Sequence, residues 1–255
     1  MIENLKLKIE NFVLDTLFPI SCISCGKKDV WLCESCFSQI KILPSQVCPY
    51  CEKTISSNGA TCAYCRSSFL SQNDKFFLDN LIVSSRYKEI SSAVHLFKYN
   101  FVKDFSVPIG KILIKSYLSA SLSLPDLIVP VPLHPRRLRW RGFNQSELLA
   151  EYMSENIAPG ISIPVFSDLI TRKKYTAPQM KIRDYKKRKE NISNAFAFSE
   201  KCSAREKSEI FQGKNILLID DIATTGSTLF ECAKVLKKNG AQKVFAAVIA
   251  RQEFS

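Results

Sequence analysis

Four identical Cys-x-x-Cys pairs before residue 66, followed from about residue 76 by short apolar runs alternating with helical periods, predict an α/β fold. They point to a parallel-sheet domain preceded by a small cysteine-rich metal module. The expected boundaries are 1–70 for an N-terminal helix and the metal module, and 76–255 for the sheet domain. A chain of 255 residues with 46% hydrophobic content has room for two small globular domains and is not of disordered composition.

The first eighteen residues intersperse Glu3, Lys6, Lys8, Glu10 and Asp15 among their apolar positions, which excludes the unbroken apolar stretch of a signal peptide. Leu5, Ile9, Phe12, Val13 and Leu17 instead follow the spacing of an amphipathic helix. No later window approaches the roughly 18 to 20 apolar residues a membrane span needs. The expectation is a soluble, cytoplasmic protein with no membrane span.

The cysteine pairs are Cys22 and Cys25, Cys33 and Cys36, Cys48 and Cys51, Cys62 and Cys65. Two thiolates at that spacing turn inward from one tight knuckle, and two knuckles complete a tetrahedral sulfur shell, so eight ligands imply two zinc ions. A disulfide framework fits poorly without a secretion signal, and a redox Cys-x-x-Cys would not recur four times. Neighbours in sequence make the simplest partition of the ligands, although the spacing also permits interleaving. With four sulfurs per ion no position stays open for water or substrate, so the expected role of the metal is structural. Cys202 and Cys232 stand apart and carry no assigned chemistry.

In the second part, 126–131, 215–219 and 243–249 read as buried strands, and 106–118, 145–156 and 227–239 as helices, the last closed by Gly240. The most informative string is Ile216-Leu217-Leu218-Ile219-Asp220-Asp221-Ile222-Ala223-Thr224-Thr225-Gly226-Ser227-Thr228. A strand ends in two acids, and a small polar loop opens a helix. Ligands of open α/β sheets sit beyond the carboxyl ends of strands, and backbone N–H groups at a helix start bind phosphate. Asp220 and Asp221 would repel a phosphate, so they are expected to point into solvent at the strand's end and meet sugar hydroxyls or Mg²⁺. The combination specifies a phosphorylated sugar.

That string resembles the phosphoribosyl pyrophosphate loop of the type I phosphoribosyltransferases. The resemblance implies that Asp220 and Asp221 hold ribose hydroxyls, while Ala223, Thr224, Thr225, Gly226, Ser227 and Thr228 form the 5′-phosphate site. Two further segments are similar to the ComF (GntX-like) family, in which a double zinc ribbon precedes such a domain. One runs from Val129-Pro130-Val131-Pro132 through His134, Arg136, Arg137, Arg139, Trp140 and Arg141 to Gly142-Phe143-Asn144-Gln145. The other runs from Thr171-Arg172 through Ala177-Pro178-Gln179 to Arg188, Asn191 and Ala195-Phe196. By position they correspond to a turn that contacts pyrophosphate and a mobile loop that covers the site. Arg136, Arg137, Arg141 and Arg172, with Lys98 as a further candidate, would stabilise the leaving pyrophosphate together with Mg²⁺. The catalytic candidates are Asp220, Asp221 and Arg172. His134 and His95 are read as structural.

The chain carries a net charge of +12, concentrated in the four arginines at 136–141 and in residues 172–190, where nine Lys or Arg face two acids. Two functional classes follow. One is a transferase that displaces pyrophosphate with a nucleophile the sequence does not name. The other is a competence factor that binds single-stranded DNA through charge mixed with Trp140, Phe143, Tyr175 and Tyr185, and retains phosphoribosyl pyrophosphate as a sensed ligand. Further competence proteins are expected as partners in either case.

Overall fold

The computed structural model describes residues 20–71, 76–99, 103–175, 191–200 and 211–252. The helix expected within residues 1–18, positions 176–190 of the basic run with Tyr185 and Arg188, and Cys202 lie outside them. The chain packs as two compact units, Met1–Lys41 and Ile42–Ser255. The smaller unit holds the first two cysteine pairs and a short helix α1 (Glu34–Gln39), which starts directly after Cys33 and turns Cys36 inward.

The larger unit opens with a hairpin of β1 (Gln46–Val47) and β2 (Ile55–Ser56), followed by α2 (Ala63–Ser71). Next come β3 (Asn80–Arg86), α3 (Tyr87–Tyr99), a 3₁₀ turn, α4 (Ser106–Ser119) and β4 (Leu127–Pro130). Helices α5 (Pro135–Arg141) and α6 (Gln145–Asn156) lead to an antiparallel pair, β5 (Ile170–Arg172) and β6 (Phe196–Phe198). The chain returns through β7 (Asn215–Ala223), α7 (Ser227–Lys238) and β8 (Lys243–Arg251).

The expected parallel sheet is present, in the order β3-β8-β7-β4 with every pair parallel. Strands covered on both faces read as near-continuous apolar runs, and eight of the nine residues of β8 are accordingly buried. Against them pack Leu229, Ala233 and Leu236 of α7, on the inward stripe of a helix whose other face carries Lys234, Lys237 and Lys238.

The structure corrects the expectation that β7 stops at its acids. The strand stays paired with β8 through Ala223, so Asp220 and Asp221 lie inside it, in register with the stretch of β8 that ends at Arg251. Asp221 is 7% exposed and does not point into solvent.

The second cysteine module belongs to the larger unit and covers the outer edge of β3. The Gln46 amide pairs with both backbone groups of Val83, accepting from its N–H at 2.8 Å and donating to its carbonyl at 3.1 Å. Leu43 N–H donates to the Ser84 carbonyl, Leu81 N–H to the Gly59 carbonyl, and Thr61 Oγ1 to the Leu78 carbonyl at 2.8 Å. Replacing the buried Gln46 strands two backbone groups of an edge strand. Gln46→Ala is therefore expected to lower the free energy of denaturant unfolding by about 1–3 kcal/mol.

Candidate functional site

Each cysteine tetrad converges on one point. The Sγ atoms of Cys22, Cys25, Cys33 and Cys36 lie within 4.8 Å of one another, as do those of Cys48, Cys51, Cys62 and Cys65. Sulfurs about 2.3 Å from a tetrahedral zinc stand about 3.8 Å apart. The Cys25–Cys33 and Cys51–Cys62 separations of 3.6 and 3.9 Å fit that edge. Backbone N–H groups aim at the sulfurs, with Cys33 donating to Cys22 and Cys62 to Cys48 at 3.4 Å each. Burial works against ionisation of Cys22, yet N–H groups of Cys33, Cys25 and Ser24 bring its thiol down to about 6. At Cys51 burial is likewise outweighed, by N–H groups of Lys53 and Thr54, and the thiol again falls to about 6. The two tetrads therefore fit two closed structural zinc sites, and the ligand sets are sequential rather than interleaved.

The second site is a cleft of about 530 Å³ at the carboxyl ends of β4 and β7. Of the expected residues, Lys98, Arg137, Arg141, Arg172, Asp220, Asp221, Thr224 and Thr228 line it. Ala223, Thr225 and Ser227 are buried behind the loop, so their side chains support it while the chain turns into α7. Gly226 begins that helix at φ 74°, a left-handed backbone that glycine adopts without penalty. Thr225 Oγ1 sits 2.7 Å from Ser227 Oγ and accepts from the Ser227 N–H, which fixes the loop at the helix start.

The acids are engaged. Asp221 Oδ1 pairs with Lys98 Nζ at 2.9 Å, both side chains being nearly enclosed, and Asp220 Oδ1 accepts from Ser146 Oγ at 3.1 Å and from the Asp221 N–H at 2.9 Å. Burial and the neighbouring Asp221 push the Asp220 carboxyl up to about 7, with Lys98 opposing them. The structure thus sets Lys98 against an acid of the cleft.

Three arginines also line the cleft. Arg172, on β5, is 9% exposed with its guanidinium 5.3 Å over the Phe196 ring, and burial followed by Arg137 draws its pKa down. Arg141 donates to Gln145 Oε1 at 3.1 Å. Arg136 is exposed at the rim, 5.4 Å over the Tyr175 ring. His134 caps α5, its Nδ1 accepting from the Arg136 N–H at 3.2 Å. Burial and then Arg172, Arg136, Arg137 and Arg139 hold His134 below its ordinary pKa.

Comparison with known proteins gives these features a family. Residues 13–66 match the family model of the double zinc ribbon domain, and residues 149–253 that of the phosphoribosyl transferase domain. The chain is 30% identical to Competence protein F of Haemophilus influenzae over 243 residues, covering 92% of this chain and 98% of that one. The chain belongs to the ComF family. ComF relatives include Competence protein ComFC of Bacillus subtilis, 31% identical with 84% and 81% of the two chains covered. DNA utilization protein YhgH of Escherichia coli is 30% identical, with 84% and 87% covered. Among solved structures, a glutamine phosphoribosylpyrophosphate amidotransferase from B. subtilis aligns at TM-score 0.37 and 17% identity, over 61% of this chain and 30% of its own.

Sequence reasoning missed Ser146, Gln145, Tyr87 and Gln252 in the cleft of this ComF chain, because each is placed by tertiary packing. A local signal existed for Ser146: Asn144 caps α6 by accepting from the Ser146 N–H, which orients that first turn toward β7.

Two outcomes are expected. Purified ComF chain carries two zinc ions, and Cys48→Ser with Cys51→Ser removes one of them and lowers the thermal midpoint of the sheet domain; metal analysis and calorimetry check both. For Asp220, a folded pKa near 7 against an unfolded value of about 3.9 means its contribution is fully present below the lower value and is lost as pH rises toward the upper. The thermal midpoint of Asp220→Asn should gain on the parent between pH 5 and 7.5, and a gap independent of pH contradicts the shift.

Proposed function

We propose that this ComF chain binds phosphoribosyl pyrophosphate in the cleft and acts in the cytoplasm in the uptake or use of DNA. The observation that carries the reading is the loop 223–228. It opens α7 at the carboxyl end of β7, in a cleft lined also by two acids and three guanidinium-bearing residues. In this reading Asp220 and Asp221 hold the ribose hydroxyls and the loop amides with Thr224 and Thr228 hold the 5′-phosphate. Arg137, Arg141 and Arg172 draw the diphosphate, Arg136 guards the rim, and Lys98 keeps Asp221 in place. Magnesium comes with the diphosphate as part of the substrate; the clusters of three or more metal-ligating side chains among the described residues are the two cysteine tetrads. Functionally we divide the chain into a metal module of residues 1–70 and a ligand domain of residues 76–255. The relatives named for competence and DNA utilization support the DNA role. Among the described residues no helix is long and apolar enough to cross a membrane.

A second reading keeps the same ligand as a sensed signal and makes single-stranded DNA the working partner, together with other competence proteins. Trp140 and Tyr175 favour it, standing 59% and 53% exposed among the arginines of the rim, where bases can stack.

The double variant Asp220→Asn, Asp221→Asn should bind phosphoribosyl pyrophosphate at least about tenfold more weakly in calorimetry, since charge-assisted hydrogen bonds worth roughly 1.5–3 kcal/mol are lost. Equal affinity would sink the assignment. Pyrophosphate release with a nucleobase or amine acceptor marks a transferase. Tight binding without release, together with DNA affinity that falls in Trp140→Ala, marks the sensor.

A further inference from the structure

The two tetrads open with the same turn but fill it differently. Gly26 follows Cys25 at φ 74° and its N–H donates to the Cys22 carbonyl at 2.8 Å. Glu52 follows Cys51 at φ 58° and its N–H donates to the Cys48 carbonyl at 2.9 Å. This left-handed backbone suits glycine and is unfavourable for a residue with a Cβ, so a glutamate there carries a backbone cost, and its side chain is engaged.

Its carboxylate receives Arg251 Nη2 at 2.5 Å. Arg251 ends β8, is 7% exposed, and donates from Nε to the Thr224 carbonyl of the phosphate loop at 3.4 Å. The same Nη2 lies 3.8 Å from where a Cβ on Gly226 would stand. One guanidinium thus sits beneath the loop, with a carboxylate from the cysteine turn beside it.

A second contact runs in parallel. Tyr50, between Cys48 and Cys51, is anchored by the N–H groups of Phe77 and Leu78, which donate to its hydroxyl at 3.0 Å each. Its ring stacks on Phe230 with centroids 4.6 Å apart and planes 16° from parallel. Phe230 N–H donates to the Gly226 carbonyl in the first turn of α7, and its ring stands 3.1 Å from where a Cβ on Gly226 would lie.

We infer that the second cysteine knuckle is the strut that positions the phosphate loop, Glu52 acting through Arg251 and Tyr50 through Phe230. The metal held by Cys48, Cys51, Cys62 and Cys65 thereby sets the loop's affinity for an anion. The choice of ligand rests on the phosphate reading of the loop, whereas the strut does not. Both Glu52 and Arg251 are positioning residues. Loss of the metal releases the turn, and the carboxylate leaves a buried cation that can stay under the loop only with a new partner.

The test uses the full zinc-loaded chain, with Glu52→Gln as a nearly isosteric change at a half-exposed side chain and Tyr50→Leu as the second probe. Zinc content, amide hydrogen exchange over residues 223–229 and calorimetric affinity for ribose 5-phosphate are measured on each. Both variants should keep two zinc ions, exchange the loop amides at least about tenfold faster, and bind ribose 5-phosphate several-fold more weakly. Loop exchange at the parent's rate in both variants, at full zinc content, overturns the inference. If the parent itself binds no ribose 5-phosphate while the loop still loosens in the variants, the strut stands and the phosphate reading fails.

Discussion

The positions of the two acids and of the loop that follows them depend on the double-sided pairing of β7. Hydrogen-bonded to β4 on one side and to β8 on the other, the strand cannot rotate or slip without moving its whole apolar set. Successive side chains leave opposite faces of a strand, so Asp220 and Asp221 take different hydrogen-bond and ion-pair partners. One meets Ser146 of α6 and the other Lys98 of α3. The loop that follows Ala223 starts from a point the sheet fixes, before the chain opens α7.

Within that frame the cleft stores opposed charge at close range. The arginines attract anions, while the acids, one of them paired with Lys98, do not, so a simple phosphate meets groups of both kinds. A ligand with hydroxyls at one end and phosphates at the other satisfies each kind with its own chemistry. Burial and the adjacent Asp221 together raise the Asp220 carboxyl, so a hydroxyl donor from a ligand would favour its charged form.

Sequence reading recovered what depends on local pattern. The apolar runs of β4, β7 and β8 stand out because both faces of a parallel strand are covered, and α6 runs from Gln145 to Asn156 as the periodicity predicts. The cysteine spacing sufficed for the two metal sites, since a knuckle is a local object. What depends on distant partners was not legible. Strand β3 carries Asn80, Ser84, Ser85 and Arg86, and it becomes a strand because β8 and the second knuckle pair with its two edges. Helix α5 has no apolar stripe and is set by the His134 cap, Pro135 at its start and Gly142 at its end. The enclosure of the acids was missed for the same reason, because it comes from α3 and α6.

The packing of Gln46, Leu43 and Gly59 along β3 also bears on how the chain behaves when metal is scarce. β3 is one of the two outermost strands of the four-stranded sheet, and an outermost strand with free backbone groups is a template for pairing with another molecule. Barrels escape this hazard by closure and many open sheets by placing lysine or proline at the edge. Here a metal-folded turn does the shielding, and its grip lasts only as long as the sulfurs keep their ion. Shielding of the β3 margin is therefore coupled to the second metal site, and a chain in which that turn came undone would expose the backbone groups that Gln46, Leu43 and Gly59 now engage.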